Sequence, residues 1–390
     1  GYIPAQHPAL LQLVTLSSIY GLSFFIVACG ALLAWVRATP SLLGRRVAIA
    51  LVIAAVIVLG AQIGERFVPE ARPDHAAILV QTNFPEVPSY PSNWLDLHAG
   101  EMDELEKISM NAVRQSAASA PPQPNLIVWP EVPAPFYFLD PKFAARAERV
   151  ARESGAYFLA GVVEWRPGPE GRLQPYNSAV MLDPLGKRVF QYDKIHLVPF
   201  GEYVPMRRLL SFASQLTAEV GDYQAGASYS VGELRGVLGP GETRAEVAAH
   251  KFGAFICFEA VFPNLVRQFN AGGAELFINI SNDGWYGRSA APEQHLAMAR
   301  VRAVENRRWL LRGTNNGYTV VIDPYGREVA RLAPDVRGAL RVPFSFRSDR
   351  TIYSRFGDWF AWMCVAAAIL FFVGAALAPP RGAASSAPTE

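Results

Sequence analysis

Three stretches of the chain carry no charged side chain: Leu10 to Val36 (27 residues), Val47 to Gly64 (18 residues) and Trp359 to Ala378 (20 residues). A helix crossing a bilayer needs about 20 apolar residues, so each run predicts a transmembrane helix, with a buried core helix as the competing reading. The first run is too long for the apolar part of a cleaved signal, and its basic residue, Arg37, follows it instead of preceding it. Between the second and third runs the pattern changes. "AAILVQ" (Ala76–Gln81), "NLIVWPE" (Asn125–Glu131), "YFLAGVVEW" (Tyr157–Trp165), "FGAFICFE" (Phe252–Glu259) and "ELFINIS" (Glu275–Ser281) are apolar runs of strand length. Met102–Ala118, Pro141–Ser154 and Gln294–Arg308 predict helices between them.

Two segments echo each other. "SAVMLDPLGKRVFQ" (Ser178–Gln191) and "TVVIDPYGREVAR" (Thr319–Arg331) each read as a hairpin closed by an Asp-Pro-x-Gly turn. The repetition suggests two similar sheets packed together; two unrelated hairpins sharing a common turn would look the same. Gly221 to Gly241 holds six glycines and predicts a long loop. In Pro205–Leu216, Arg207 and Arg208 stand beside Leu209, Leu210 and Phe212, which fits an interfacial helix or a plain surface helix.

Composition sharpens the membrane reading. Of the 390 residues 51% are hydrophobic and 18% charged, whereas soluble domains carry about 25% charge. Thirty-six basic against 34 acidic residues leave no basic excess of the kind a nucleic-acid binder shows. The 45 aromatic residues (23 Phe, 14 Tyr, 8 Trp) exclude general disorder. Arg37, Arg45 and Arg46 lie between the first two spans, so the positive-inside rule puts that loop in the cytoplasm and residues from about Glu65 to Asp358 on the outer side. Arg347, Arg350 and Arg355 pull the other way, but charges at the edge of a folded domain carry less topological information. A transporter fits poorly, because the spans hold no charge and most of the chain lies outside them.

Three cysteines exclude a disulfide scaffold and a four-thiolate zinc site. Cys29 and Cys364 fall within apolar runs, which leaves Cys257, at the end of "FGAFIC" and before a helix-like stretch. A nucleophile on a strand-to-helix turn is exposed and close to backbone N–H donors; a buried strand cysteine is the plainer reading. None of the six histidines stands in a pattern that marks it as its partner, although His196 follows closely on Lys194. There is no H-E-x-x-H and no histidine pair at ligand spacing, so neither metal nor cofactor is expected. Glu131 ends "NLIVWPE", where an unpaired carboxylate would be costly. Lys194 lies in "YDKIHLVPFGEYVP", also after an apolar stretch. The three residues make a plausible catalytic set, or Glu131 and Lys194 a structural ion pair.

"IVWPE" around Glu131, "YDKIHLVPFGEYVP" around Lys194 and "CFEAVFP" around Cys257 resemble the three signature blocks of the nitrilase superfamily, whose catalytic set is Glu, Lys and Cys. The "PFGEYVP" tail, the flanking spans, "NISNDGWYG" (Asn279–Gly287) and "RAVENRRWLLRGTNNG" (Arg302–Gly317) are similar to its membrane-bound branch, the apolipoprotein N-acyltransferases. The resemblance implies an α+β fold, a four-layer αββα sandwich flanked by transmembrane helices. It implies two transmembrane helices and a linker over 1–74, a nitrilase-like catalytic domain over 75–346, and a linker and C-terminal transmembrane helix over 347–378. Residues 379–390, rich in Ala, Ser and Pro, are expected to be a disordered tail.

The implied reaction moves an acyl chain from a phospholipid to Cys257, and from that thioester to the α-amino group of a diacylglyceryl-cysteine on a lipoprotein. Glu131 would act as base and Lys194, with backbone N–H groups, would hold the oxyanion. Glu202 and Glu259 would orient Lys194 or the cysteine loop, and Trp94 and Trp285 would line the lipid-facing entrance; ordinary structural carboxylates and simple packing are the plainer alternatives. The partners are then a phospholipid, a lipoprotein and the bilayer, with no nucleic acid, in a multi-pass protein of the bacterial inner membrane whose catalytic domain faces the periplasm. Two departures stand out: only two spans precede the body where relatives carry more, so with Gly1 at the start a truncation is expected, and Phe258 replaces the usual tyrosine. A membrane-anchored amidase hydrolysing a small-molecule C–N bond with the same triad is the alternative, and a non-catalytic scaffold a more distant one.

Overall fold

A computed structural model describes residues 2–3, 6–38, 43–87, 90–116, 125–168, 171–205, 222–235 and 249–377. The interfacial helix expected over Pro205–Leu216 (apart from Pro205), much of the glycine-rich loop and the tail lie outside them.

Strand β1 (His75–Gln81) is buried along its whole length, yet its alternate residues enter different cores. Ala77 and Leu79 join the apolar cluster shared with a second sheet, while Ile78 and Val80 join a cluster under helices. That period of two, apolar on both sides, is what a strand in the middle layers of a sandwich requires. With β2 (Leu126–Val128), β3 (Tyr157–Pro167), β4 (Leu173–Leu182) and β5 (Arg188–Asp193) it forms one sheet. β6 (Val231–Leu234), β7 (His250–Ile256), β8 (Leu276–Ser281), β9 (Trp309–Thr314), β10 (Val320–Ile322) and β11 (Glu328–Arg331) form the other. β12 (Gly338–Phe344) returns to the free edge of β1.

The sheets repeat each other. Read in the orders β12-β1-β2-β3-β4-β5 and β6-β7-β8-β9-β10-β11, each pairs antiparallel, parallel, parallel, antiparallel, antiparallel. The echoed hairpins are β4–β5 and β10–β11, in equivalent places, and their turns match bond for bond. Gly186 N–H donates to Asp183 O at 2.8 Å and Gly326 N–H to Asp323 O at 3.0 Å, both glycines at positive φ. The two-sheet reading of the echo is therefore the right one.

Helices cover the outer faces. On the first sheet lie the short α4 (Trp94–Leu97), then α5 (Ala99–Ser116) and α6 (Pro141–Ser154); on the second lie α7 (Pro263–Ala271) and α8 (Ala291–Asn306). α6 starts at the predicted residue because the Asp140 side chain accepts the Lys142 N–H and Pro141 needs no acceptor; it stops at Gly155 in the left-handed region. The result is the expected four-layer αββα sandwich.

The first apolar run does not form one straight helix. α1 (Pro8–Leu11) is separated by a turn from α2 (Val14–Arg37), which is broken at Ser18 (φ 58°). Leu11, Val14, Ile19 and Leu22 pack on Val301 and Val304 of α8, so the start of the run belongs to the body. α2, α3 (Leu43–Glu65) and α10 (Trp359–Leu377) are long and apolar enough to cross a membrane. α9 (Ile352–Phe356) leads into the last of them.

Candidate active site

Glu131, Lys194 and Cys257 each lie just past the C-terminal end of a strand. β2 stops at Val128, so Glu131 stands three residues beyond it in a loop instead of ending it; Lys194 directly follows β5 and Cys257 directly follows β7. Gly161 of β3 lets the Glu131 loop come close, its N–H donating to Pro130 O at 3.0 Å.

The Lys194 ammonium is 1% exposed and donates to Glu131 Oε1 and Glu202 Oε1, at 2.9 Å each. Asn177 Nδ2 bridges the same two oxygens at 2.7 Å each. The second Glu131 oxygen accepts the Asn282 backbone N–H at 2.9 Å, and the second Glu202 oxygen that of Val198 at 2.8 Å. Burial pushes the Lys194 ammonium down, but the carboxylates of Glu131 and Glu202 outweigh it and hold its pKa well above the ordinary value. Glu131 keeps a fixed rotamer and a cation beside it.

Cys257 is buried and sits at φ 49° at the start of a one-turn helix, Cys257–Val261. A non-glycine residue there is strained, a cost of about 1–3 kcal/mol that persists only where the surroundings impose it. Burial first, and then the charge of Glu131, push the thiol well above its usual range; Lys194 and a hydrogen bond with Ser281 pull it back only in part. The resting group is therefore a thiol that must lose its proton as it attacks.

Glu259 ties the two loops together. Its Oε2 accepts the Ile256 N–H (2.8 Å), and its Oε1 accepts the Tyr192 hydroxyl and Ile195 N–H (both 2.7 Å) and the His196 N–H (3.2 Å). Burial raises its carboxyl to about 7 against these donors. Trp94, 5% exposed, packs among Phe84, Tyr90, His98 and Phe136, a core position, whereas Trp285 is 73% exposed on the turn after β8.

Residues absent from the sequence-based set crowd the same place: Asn177, Ser281, Asn282, Asp283, His295, Arg312 and Asn315. Asn315 Oδ1 accepts from Thr82 Oγ1 (2.7 Å) and the Phe84 N–H (2.9 Å), and its amide donates to Asn282 Oδ1 (3.2 Å). The signal was available in "NISND": a run of polar residues continuing an apolar strand raises the same question as Glu131. A cavity of about 620 Å³ opens beside the site, bounded by Tyr137, Trp165, Arg172, Leu173 and Tyr223. Tyr223 reaches the site, its N–H donating to Glu202 O at 3.1 Å. Among the described residues no cluster of three or more His, Cys, Asp or Glu side chains could hold a metal ion.

The sequence profile of the carbon-nitrogen hydrolases matches residues 80–342. An apolipoprotein N-acyltransferase of Geobacter metallireducens is 34% identical over 375 residues, covering 94% of this chain and 67% of the relative. That of Allorhizobium ampelinum is 30% identical over 357 residues, covering 88% and 62%. Other such relatives are matched over as little as 41% of their length. An amidase from Nesterenkonia sp. of known structure is 18% identical, with a TM-score of 0.49 over 76% of this chain and 98% of that one.

Proposed function

Because the chain belongs to the carbon-nitrogen hydrolase family, we propose that it uses Cys257 as the nucleophile of a two-step acyl transfer, from a membrane phospholipid to the N-terminal amine of a diacylglyceryl lipoprotein. The observation that carries this reading is the buried Glu131–Lys194 pair beside a strained Cys257. The name of its relatives and the three apolar helices on the body favour a lipid substrate over a small amide.

In the first step Glu131 takes the Cys257 proton as the sulfur attacks the ester carbonyl. A thiol raised by burial makes this general-base help necessary. Lys194 and backbone N–H groups near Cys257 hold the oxyanion; the proton passes to the departing lysophospholipid oxygen, leaving a thioester. In the second step the amine attacks the thioester, Glu131 accepts its proton, and the thiol is restored. Water competes unless the mouth is closed to it. In this reading the exposed Trp285 borders a lipid-facing mouth, and the buried Trp94 supports the loop after β1 through Phe84. Glu202 and Glu259 position Lys194 and the cysteine turn. The body is assigned to the periplasmic face of the inner membrane.

Intact-protein mass spectrometry after incubation with phospholipid vesicles tests this. A hydroxylamine-sensitive gain of one acyl chain is expected in the protein and not in Cys257→Ala or Cys257→Ser, with both variants folded. An equal adduct in Cys257→Ala would overturn the assignment of the nucleophile. No adduct in folded protein would favour the amidase reading.

A further inference from the structure

His295 lies on α8, far in sequence from the three residues above, and is 4% exposed. Its Nε2 is 2.9 Å from the backbone carbonyl oxygen of Cys257. A carbonyl oxygen only accepts, so Nε2 carries a proton and donates it there. Nδ1 faces Asp283 Oδ1 at 3.0 Å. Asp283 also accepts from the Ser281 hydroxyl at 2.8 Å and from Arg312 Nη2, at 2.9 Å to Oδ2. Arg312 is in turn held by Asn279, whose amide donates to Phe255 O at 3.0 Å. Burial alone would push the Asp283 carboxyl up, but Arg312 and His295 outweigh it and hold it well below the usual range.

Each member of this buried chain has a partner within it, and the chain ends on the backbone of Cys257, which sits at positive φ. We infer that His295 is a positioning residue for the nucleophile: by donating to the Cys257 carbonyl it fixes the left-handed backbone that aims the thiol between Glu131 and Lys194. Two consequences follow. A residue at φ 49° relaxes towards negative φ unless something holds it, and a polar anchor buried with its own counter-charges can supply that hold. The peptide unit whose oxygen His295 holds also carries the Phe258 N–H, and a hydrogen bond to one end of a peptide strengthens the donor at the other. The same anchor therefore improves a backbone donor available to the oxyanion. Ser281 carries the link to the sulfur itself, since its hydroxyl meets both Asp283 and the Cys257 thiol.

This inference rests on Cys257 being the nucleophile, so its test has a readout that needs no acyl transfer. The rate of alkylation of Cys257 by iodoacetamide is measured beside the rate of acyl-enzyme formation from phospholipid vesicles. His295→Phe keeps a ring but has no donor, and His295→Gln places an amide N–H near the position of Nε2. In folded His295→Phe, alkylation and acyl-enzyme formation are both expected to slow by roughly ten- to hundredfold, the scale on which a misplacement of about 1 Å acts, with the vesicle concentration for half-maximal rate unchanged. His295→Gln is expected to recover most of that loss. Wild-type rates in folded His295→Phe, or a His295→Gln variant as slow as His295→Phe, would overturn the inference. If wild-type protein forms no acyl-enzyme but its alkylation still depends on His295, the acyl-transfer reading fails and the positioning role stands.

Discussion

Gly161 shows how the site depends on a side chain that is missing. A Cβ added there would lie 2.6 Å from Glu131 Cα, 2.6 Å from Pro130 O and 2.7 Å from Val132 N. These are backbone atoms, so no rotamer change relieves the clash, and the loop itself has to move. Glu131 would be drawn off Lys194 and the Asn282 N–H, both 2.9 Å away. Gly161→Ala is expected to slow acyl-enzyme formation by about 100-fold, the usual cost of a misplaced group, and to lower stability by about 1–3 kcal/mol as overpacking does. A wild-type rate in that variant would mean that the base tolerates displacement. A glycine inside the strand-like run "YFLAGVVEW" hints at a close backbone approach, but only the fold says that the approaching segment is Glu131. Glu131, Lys194 and Cys257 stood out because each follows an apolar run, and the resemblance of the blocks around them chose a catalytic set over an ion pair and a buried cysteine. Asn177 and His295 did not: one lies within a strand and the other on a helix face, and each looks like surface until its partners are placed.

At the scale of elements, strands with uninterrupted apolar runs were readable and interrupted ones were not. β9 is broken by Arg312, a charge that belongs in the core only because Asp283 and Asn279 await it. β12 contains Pro343, tolerated because it is an edge strand. The loops that carry the chemistry are joined by contacts no periodicity encodes, above all through Glu259, which binds the turn after β7 to the segment after β5. That link has a pH signature. Burial raises the folded-state value of Glu259 from 4.5 to about 7, so between these values the folded protein holds a proton that the unfolded chain has released. Glu259 then contributes fully below about 4.5, and its contribution falls as pH rises through about 7, by about 3 kcal/mol on the scale of 1.36 kcal/mol per unit. Thermal unfolding in detergent across this window is expected to show that decline in the parent protein and a flatter profile in Glu259→Gln. Equal slopes would mean that the carboxyl titrates normally and its four donors decide its state. Glu259→Gln lowers stability at every pH, since its amide meets N–H groups that need an acceptor, so the slope is the informative quantity.

For the whole molecule the decisive feature is that the three apolar helices join the body at the same end. Trp359, the first residue of α10, donates from its indole to Leu16 O at 2.8 Å, and Phe360 meets Phe24 edge to face at 5.6 Å. α3 returns from the far side, so that Gly64 near its end lies against Ala9. The joint is built into the break in α2: Glu305 of α8 accepts the Ser18 hydroxyl at 2.6 Å and, at 3.0 Å, the Ile19 N–H, a backbone donor that the break leaves without a helical acceptor. With the body gathered at one end, Arg37, Arg45 and Arg46 sit at the opposite end of the helices, where Arg46 packs on Trp35. Arg347, which weakened the topological reading of the sequence, is tied to Asp349 at 2.8 Å as part of the body. Arg350 and Arg355 are exposed and still pull the other way, but at the edge of the folded body they weigh less than the charges of the short loop, which the positive-inside rule assigns to the cytoplasm. Single cysteines at Ala38, beside that loop, and at Leu185, 79% exposed on a hairpin tip of the body, test the assignment. In cells with a permeabilised outer membrane, a membrane-impermeant maleimide is expected to label Leu185→Cys at once and Ala38→Cys only after the inner membrane is broken. The reverse pattern would place the body in the cytoplasm, where a thioester drawn from periplasmic lipid and passed to an exported lipoprotein has no route. The acyl-transfer reading would then lose its acceptor even with its nucleophile intact.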